Sequence, residues 1–184
     1  MKHRRKRILV ASGLGAIAAL VLTALFVVPA LATPPSGVTN PSWSPVIGRF
    51  QDGIDATAKT DINAGTATDF WQVRIGAKGA TDVHVLENII APGGTFGWHS
   101  HPGPSLVIVR SGTLSVYHAP DCVAQNFGPG SPLGSTFVDQ GHDLHIVRNN
   151  SDSVTADVYV VSFVPAGFAR RIDEPNPNPS ICPN

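Results

Sequence analysis

Three histidines in the second half of the chain have the spacing expected of metal ligands. His99 and His101 are two positions apart, so in a β-strand both imidazole rings point to the same face. His145 lies in a second segment whose alternation also turns one face inward. Because imidazole binds zinc, manganese, copper, nickel and iron, the ligand type alone does not select the metal. These spacings fit one divalent transition metal ion held by all three histidines, and the alternative is that His99 and His101 are polar residues of a surface loop beside Pro102.

Other residues near this group have a simpler interpretation. His84 and His118 have no partner at ligand spacing, so we interpret them as ordinary strand or loop residues. Trp98 alternates away from the histidines and is predicted to pack in the interior. Glu87 alternates with neighbouring valines, so we leave it outside the predicted site, although an inward carboxylate would suit a metal ion.

The elements that must position these residues are predicted to be short strands. No segment has a sustained apolar i, i+3, i+4 pattern, so no long helix is expected. Pro92-Gly93-Gly94 is predicted to end one strand, and residues 110–113 are predicted to form a tight hairpin turn. Many short strands joined by turns indicate a small sandwich or barrel. The candidate strands are residues 69–75, 81–91, 106–109, 114–117, 135–138, 143–148 and 154–164.

Two longer patterns contain the histidines. The first runs from Gly93 through His99, His101 and Ser105 to Gly112, with five, one, three and six residues in the intervals. Its spacing is that of the motif G-x5-H-x-H-x3,4-E-x6-G, with serine in the place of glutamate.

The second pattern runs from Gly134 through Gln140, His142 and His145 to Asn149, and it matches the spacing of G-x5-P-x-G-x2-H-x3-N. The two motifs in this order resemble those of the cupin superfamily, and together they cover about a third of the chain. The run of residues 97–104 also resembles small exported cupins of actinobacterial type.

The resemblance implies an all-β fold, a small antiparallel conical β-barrel of the double-stranded β-helix, jelly-roll-like kind. It places His99, His101 and His145 as metal ligands inside the barrel. Ser105 occupies the fourth ligand position of the family, and Gln140 and His142 replace a proline and a glycine that shape a turn. Because a serine hydroxyl is neutral and a poor ligand, we expect a weaker, more open and more positive site than the family's four-ligand centre.

Three functions remain open. The remaining three-histidine set is similar to that of the thiol dioxygenases, which implies a metal-dependent, oxygenase-like enzyme acting on a small molecule. The second is a non-catalytic barrel that binds a metal, an anion or a small ligand, and the third is a dimerisation unit. His142 is the candidate catalytic residue, as a proton carrier or further ligand, or else only a turn residue. The expected partners are a small or anionic ligand and a second copy in a homodimer.

The first 32 residues have the pattern of a signal peptide. Five basic residues precede an uncharged run over residues 8–28, and Ala30 and Ala32 fit a peptidase site, so cleavage after Ala32 is expected. The alternative is a retained anchor, because an uncharged and mainly apolar run of 21 residues can span a bilayer. Under either interpretation the rest of the chain is secreted or extracytoplasmic, with membrane attachment only through an uncleaved leader.

Charge and cysteine content fit an exported domain. Without the leader, 8 Lys and Arg face 13 Asp and Glu, a formal charge of −5, which argues against binding of nucleic acid. Cys122 and Cys182 are predicted to form one disulfide in an oxidising compartment. The expected layout is a leader over 1–32, a weakly structured linker over 33–60, the barrel over 61–170, and a tail over 171–184 that is pinned by the disulfide.

Overall fold

The computed structural model describes residues 31–61 and 70–184, and these residues form strands and loops without a helix. No helix in this part of the chain is therefore long and apolar enough to cross a membrane. The predicted leader lies outside the described residues up to residue 30. The strands are β1 (Ser36–Thr39), β2 (Val46–Phe50), β3 (Gly53–Asp61), β4 (Phe70–Lys78), β5 (Thr81–Ser100), β6 (Ser105–Ser111), β7 (Leu114–His118), β8 (Ala124–Phe127), β9 (Thr136–Asp139), β10 (His145–Arg148), β11 (Ala156–Pro165) and β12 (Ile172–Asp173).

One antiparallel sheet of ten strands curls into a nearly closed barrel in the described part of the chain. Its strands follow the order β8-β7-β10-β5-β11-β6-β9, and β1, β2 and β12 add to β5. Neighbours in this order are mostly distant in sequence, which is the arrangement of a jelly roll rather than of a simple meander. The predicted fold class, an all-β antiparallel barrel, is confirmed.

Strand β5 is the longest element and connects the two halves of the barrel. Its first half pairs with β11, from Thr81 opposite Pro165 to Ile90 opposite Ala156, and its second half pairs with β10. The prediction that Pro92-Gly93-Gly94 ends this strand is wrong. Gly93 has a positive φ of 70°, which lets the strand bend here and continue toward the histidines.

The predicted hairpin at residues 110–113 is also wrong. Strand β6 pairs with β11 and β9, whereas β7 pairs with β10 and β8, so the turn carries the chain from one side of the barrel to the other. Gly112 has a φ of 73°, and a Cβ atom there would lie 2.8 Å from Ala156 Cα. The turn residues thus form a tight crossing between two sides of one barrel, and local sequence does not distinguish such a crossing from a hairpin turn.

The region predicted to be a linker contains strands. Strands β1 and β2 pair with β5, and β3 pairs with β4 in a separate two-stranded sheet. Residues 33–60, predicted as a weakly structured linker, therefore contribute strands, because one side of β5 offers backbone partners that a Pro- and Gly-rich segment can use without its own apolar pattern. Pairing of β1, β2 and β12 also extends the barrel beyond the predicted range of 61–170.

Alternation along the strands builds the core. In β6 and β11 every second residue is buried, so one face of each strand lines the inside of the barrel. Burial of each Val, Leu or Ile side chain contributes about 1.5–3 kcal/mol to folding. This core consists of Leu86, Ile90, Val107, Val109, Leu114, Val116, Phe127, Val147, Ala156, Val158 and Val160.

A second, smaller cluster surrounds a disulfide. Cys122 and Cys182 are bonded to each other, as predicted, and pack against Trp98 and Ile146. The Trp98 indole Nε1 donates a hydrogen bond to the carbonyl oxygen of Pro183 at 2.7 Å. The tail is thus held by the disulfide and by pairing of β12 with β5. The disulfide is consistent with an extracellular protein.

Candidate metal centre

The barrel brings the three predicted ligands together at one level of its interior. His99 lies near the end of β5 and His101 comes directly after that strand, while His145 begins β10 directly opposite His99. Their exposed fractions are 3%, 5% and 2%, respectively. One nitrogen from each ring lies within 4.8 Å of those of the other two. Two strands therefore present three imidazoles to a single point.

Backbone carbonyls determine which nitrogen of each ring faces that point. The Nδ1 atom of His99 lies 2.8 Å from the carbonyl oxygen of Gly97, and the Nδ1 atoms of His101 and His145 lie 2.7 and 3.0 Å from those of Arg170 and Asp143. A carbonyl oxygen only accepts, so each Nδ1 carries the proton. In the neutral imidazole the Nε2 lone pair is then free to bind a metal ion.

Burial also keeps these rings neutral. Loss of hydration holds the pKa of His99 well below its usual value of 6.5, and the nearby His145 adds to the shift. Burial lowers the pKa of His101 and His145 in the same way, with Asp139 opposing it through its negative charge. Neutral imidazole is the form that ligates metals.

The structure adds a carboxylate that sequence reasoning missed. Asp139, at the end of β9, is 4% exposed, and its Oδ2 atom lies 3.3 Å from His101 Nε2 and 3.8 Å from His145 Nε2. Its Oδ1 atom accepts a hydrogen bond from the backbone N–H of Gly141 at 3.0 Å. The signal that could have found it is alternation, because Phe137, two residues earlier, also lines the cavity.

Ser105 lies where the family motif has its glutamate, and it faces the same cavity. The side chain is 2% exposed, and its hydroxyl shares a 2.8 Å hydrogen bond with the hydroxyl of Ser162. The two serines satisfy each other, so this position contributes packing and a polar pair, without a charge.

The structure does not bring His142 to the centre. Its side chain is exposed and is not among the residues that line the cavity. Its backbone has a φ of 57°, and its N–H donates to the carbonyl oxygen of His101 at 2.7 Å. Gln140 is likewise exposed. His142 therefore belongs to the turn that supports His101. Of the interpretations drawn from the sequence, this position fits that of a turn residue.

Two other titratable side chains, those of Glu87 and His118, lie outside the three-histidine group. Glu87 accepts hydrogen bonds from Trp43 Nε1 at 3.0 Å and from the Tyr159 hydroxyl at 3.1 Å, in a cluster apart from the three histidines. It therefore does not replace the missing glutamate. His118 lies behind His145, with ring centroids 5.7 Å apart, and its Nδ1 faces Asp143 at 3.7 Å.

A cavity of about 50 Å³ opens at the histidines. This is room for an ion with a few water molecules or a small ligand. Its walls are mostly apolar, from residues such as Phe96, Val107 and Leu114, while Arg170 and Arg171 add positive charge. Burial lowers the pKa of the Arg170 guanidinium, as does its neighbour Arg171. One nitrogen of Arg171, Nη2, is buried without a hydrogen-bond partner.

The donor set fits a divalent transition metal ion. Three neutral Nε2 atoms are suitable ligands for zinc, copper, iron, nickel or manganese. The carbonyl groups behind them are the outer partners that orient metal-bound histidines. A set of this size leaves coordination positions for water or for a ligand that enters through the cavity.

No protein-family model and no functionally curated protein matches the sequence. Among similar solved structures, an oxalate oxidase is 23% identical, with 46% of each chain covered and a TM-score of 0.37. A cupin superfamily protein from Desulfitobacterium hafniense is 10% identical over 59% of this chain and 78% of that chain, with a TM-score of 0.38.

An uncharacterized conserved protein with a double-stranded beta-helix domain, from Klebsiella pneumoniae, is 14% identical. The alignment covers 67% of this chain and 85% of that chain, with a TM-score of 0.40. The chain spans less than half the length of the oxalate oxidase. Because these TM-scores are below 0.5, the description of the fold depends on the strand order and on the two motifs.

Proposed function

We propose that this chain, which has the cupin fold, binds one divalent transition metal ion through His99, His101 and His145 and takes a small anionic ligand at that ion. The observation that carries the proposal is the convergence of three buried Nε2 atoms whose Nδ1 protons are held by backbone carbonyls. If these imidazoles bound no metal ion, the lone pairs of three Nε2 atoms would face the inside of the barrel with no protein donor, which buried polar groups rarely do.

The cavity supports an anionic ligand. Arg170 and Arg171 line it together with the histidines, and Arg171 has an unpaired buried nitrogen that can donate a hydrogen bond. The apolar residues that line the rest of the cavity favour a ligand with a short hydrocarbon part. A bound divalent ion supplies Lewis acidity and, for redox-active metals, electron transfer. The protein would bind and orient the ligand and limit the access of water.

The same site suits two outcomes after binding, a metal-dependent reaction or storage of the ligand unchanged. His142, the residue considered for proton transfer, is exposed outside the cavity, and this observation favours the non-catalytic binding module. Metal-loaded protein incubated with culture extract distinguishes the two. Recovery of the bound ligand chemically unchanged supports the module, and its conversion supports an enzyme such as an oxygenase.

We also propose that the protein is exported. The basic and apolar leader is the sequence support, and the Cys122–Cys182 disulfide is the structural support, since such bonds persist in oxidising compartments. Fractionation of cells that produce the full chain, with N-terminal sequencing of the product, distinguishes a cut leader from a retained anchor.

The homodimer stays a prediction, which light scattering on the purified protein checks.

Elemental analysis tests the metal site directly. We expect the exported, untagged protein to retain close to one transition metal ion per chain, and the His99→Ala, His101→Ala double variant to retain almost none, because it loses two of three ligands. His84→Ala, at a histidine outside the cavity, is the matched control and should keep the ion. Sub-stoichiometric metal that falls no further in the double variant would contradict the proposal.

A further inference from the structure

We propose that Asp139 is the fourth protein ligand of the metal ion, a carboxylate that enters from β9 where the family motif would supply one from β6. The inference depends on the three-histidine site proposed above and specifies it further. Its starting point is the Oδ2 atom of Asp139, which is buried and has no hydrogen-bond partner. An unpartnered buried carboxylate oxygen is costly, so a group that binds there is expected.

The nearest polar atoms do not satisfy this oxygen. They are the Nε2 atoms of His101 and His145, at 3.3 and 3.8 Å. Both rings hold their protons on Nδ1, where backbone carbonyls accept them, so these Nε2 atoms present lone pairs. A carboxylate oxygen that faces two lone pairs is an arrangement that a cation between them would stabilise.

The distances suit a shared ion. Two ligand atoms each about 2.1 Å from one tetrahedral ion are about 3.4 Å apart. The two distances from Asp139 Oδ2, 3.3 and 3.8 Å, lie on either side of this value. The other carboxylate oxygen, Oδ1, is fixed by the N–H of Gly141, so the side chain is already oriented with Oδ2 toward the histidines.

Strand register explains how a carboxylate from a different strand reaches the position. Ser105 on β6 is directly opposite Asp139 on β9. Residues directly opposite in an antiparallel pair project to the same face of the sheet, so both side chains enter the cavity at one level. Ser105 is engaged by Ser162, which leaves the space in front of the histidines to the aspartate.

The ligand set that results is three histidines and one carboxylate, with a net charge of +1 when it holds a divalent ion. The negative charge should raise affinity above that of three histidines alone, which reverses the expectation drawn from Ser105. A ligand set with a carboxylate oxygen suits manganese, iron or zinc. A six-coordinate ion would keep two positions for an outside ligand, whereas a tetrahedral one would be closed.

The test is the metal affinity of Asp139→Asn, measured by competition with a chelator for cobalt and zinc. Asparagine keeps the size and the acceptor for Gly141 but loses the charge. We expect affinity to fall by at least about tenfold, with the visible spectrum of the cobalt form changed. The matched control is Asp157→Asn, which removes the charge of a half-buried aspartate that pairs with Arg110 and, like Asp139, has one unpartnered oxygen. The control should bind as the wild type does.

The outcomes separate this proposal from the one on which it depends. Equal affinity of Asp139→Asn and wild type overturns the role of Asp139 and leaves the three-histidine site standing, whereas a wild type without metal overturns both. If the variant does not fold, a crystal structure of zinc-loaded wild type decides. An Asp139 oxygen within about 2.2 Å of the ion supports the proposal, and one beyond about 3 Å overturns it.

Discussion

Each imidazole of the candidate centre is oriented by a backbone carbonyl, those of Gly97, Arg170 and Asp143. The side chains are therefore in the metal-binding tautomer before any ion arrives. Two of these carbonyls lie two residues before the histidine that they orient, within its own segment. The third, from Arg170, comes from the segment before β12 and ties His101 to the C-terminal part of the chain.

Burial of neutral histidines predicts a pH dependence of stability. In the unfolded chain each imidazole has a pKa near 6.5, and folding lowers the pKa of His99, His101 and His145. Below about pH 6.5 the unfolded state binds protons that the folded state does not, so the free energy of unfolding of the metal-free protein should fall as pH falls. Above that pH these groups contribute no further change.

Urea denaturation of chelator-treated protein from about pH 7.5 to about pH 4.5 measures this slope. His101→Gln removes one of the three titrating groups and should make the slope shallower. A slope in His101→Gln as steep as that of the wild type would show that this ring does not remain neutral on folding.

At the residue scale, sequence reasoning identified the histidines but not the carboxylate. His99 and His101 are detectable because alternation alone puts them on one face, and His145 completes a motif. Asp139 belongs to no motif position. Alternation puts its side chain on the same face of β9 as Phe137, but its closeness to the histidines follows from the register of β9 against β6, which the spacing of residues along the chain does not encode.

At the scale of elements, the sequence indicates the strands that have regular alternation, but neither the weakly patterned strands nor which strands pair. Strand β11, expected over 154–164, spans Ala156–Pro165, because its alternation is regular. The one predicted pairing, the hairpin at residues 110–113, is wrong because the chain crosses there between the two sides of the barrel. Strands β1 and β2 are short and have little apolar alternation, and their backbones pair with β5. For this reason the sequence predicts a linker there.

The tail is an element whose stability depends on the disulfide. The bond between Cys122 and Cys182 closes a loop of 60 residues, and in the chain-entropy model it contributes roughly 4 kcal/mol to stability. We expect the Cys122→Ala, Cys182→Ala double variant to lose up to that amount, measured by guanidinium denaturation. Reduced wild type should match the variant.

Thiol titration of the unfolded, unreduced wild type is the accompanying check and should detect almost no free thiol. Two titratable thiols per chain would contradict the pairing. A variant as stable as wild type would show that β12 and the Trp98 hydrogen bond hold the tail unaided.

At the scale of the whole molecule, charge is distributed unevenly. Beyond the predicted leader the chain is acidic, with 8 basic against 13 acidic side chains, yet two arginines line the cavity. A divalent ion would make this interior more positive still. The contrast favours small anions that fit inside over large polyanions, which the outer surface repels.

A comparison of acetate with acetamide tests this preference, because the two differ in charge and little in shape. Metal-loaded protein should bind acetate in calorimetric titration, with acetamide bound at least about tenfold more weakly, the effect of one charge-assisted hydrogen bond. Arg171→Gln should weaken acetate to a similar degree, and Arg110→Gln, outside the cavity, should not. Equal binding of the two probes would contradict an anionic ligand.

The register of His145 opposite His99 has a consequence for the fold itself. An ion that binds both rings joins β10 to β5, so it acts as a cross-link between two strands in addition to any chemistry. Because only the folded chain assembles all the ligands, the ion stabilises that state in proportion to the logarithm of its free concentration. The supply of metal in the surroundings then becomes one of the conditions that determine how much of the protein is folded.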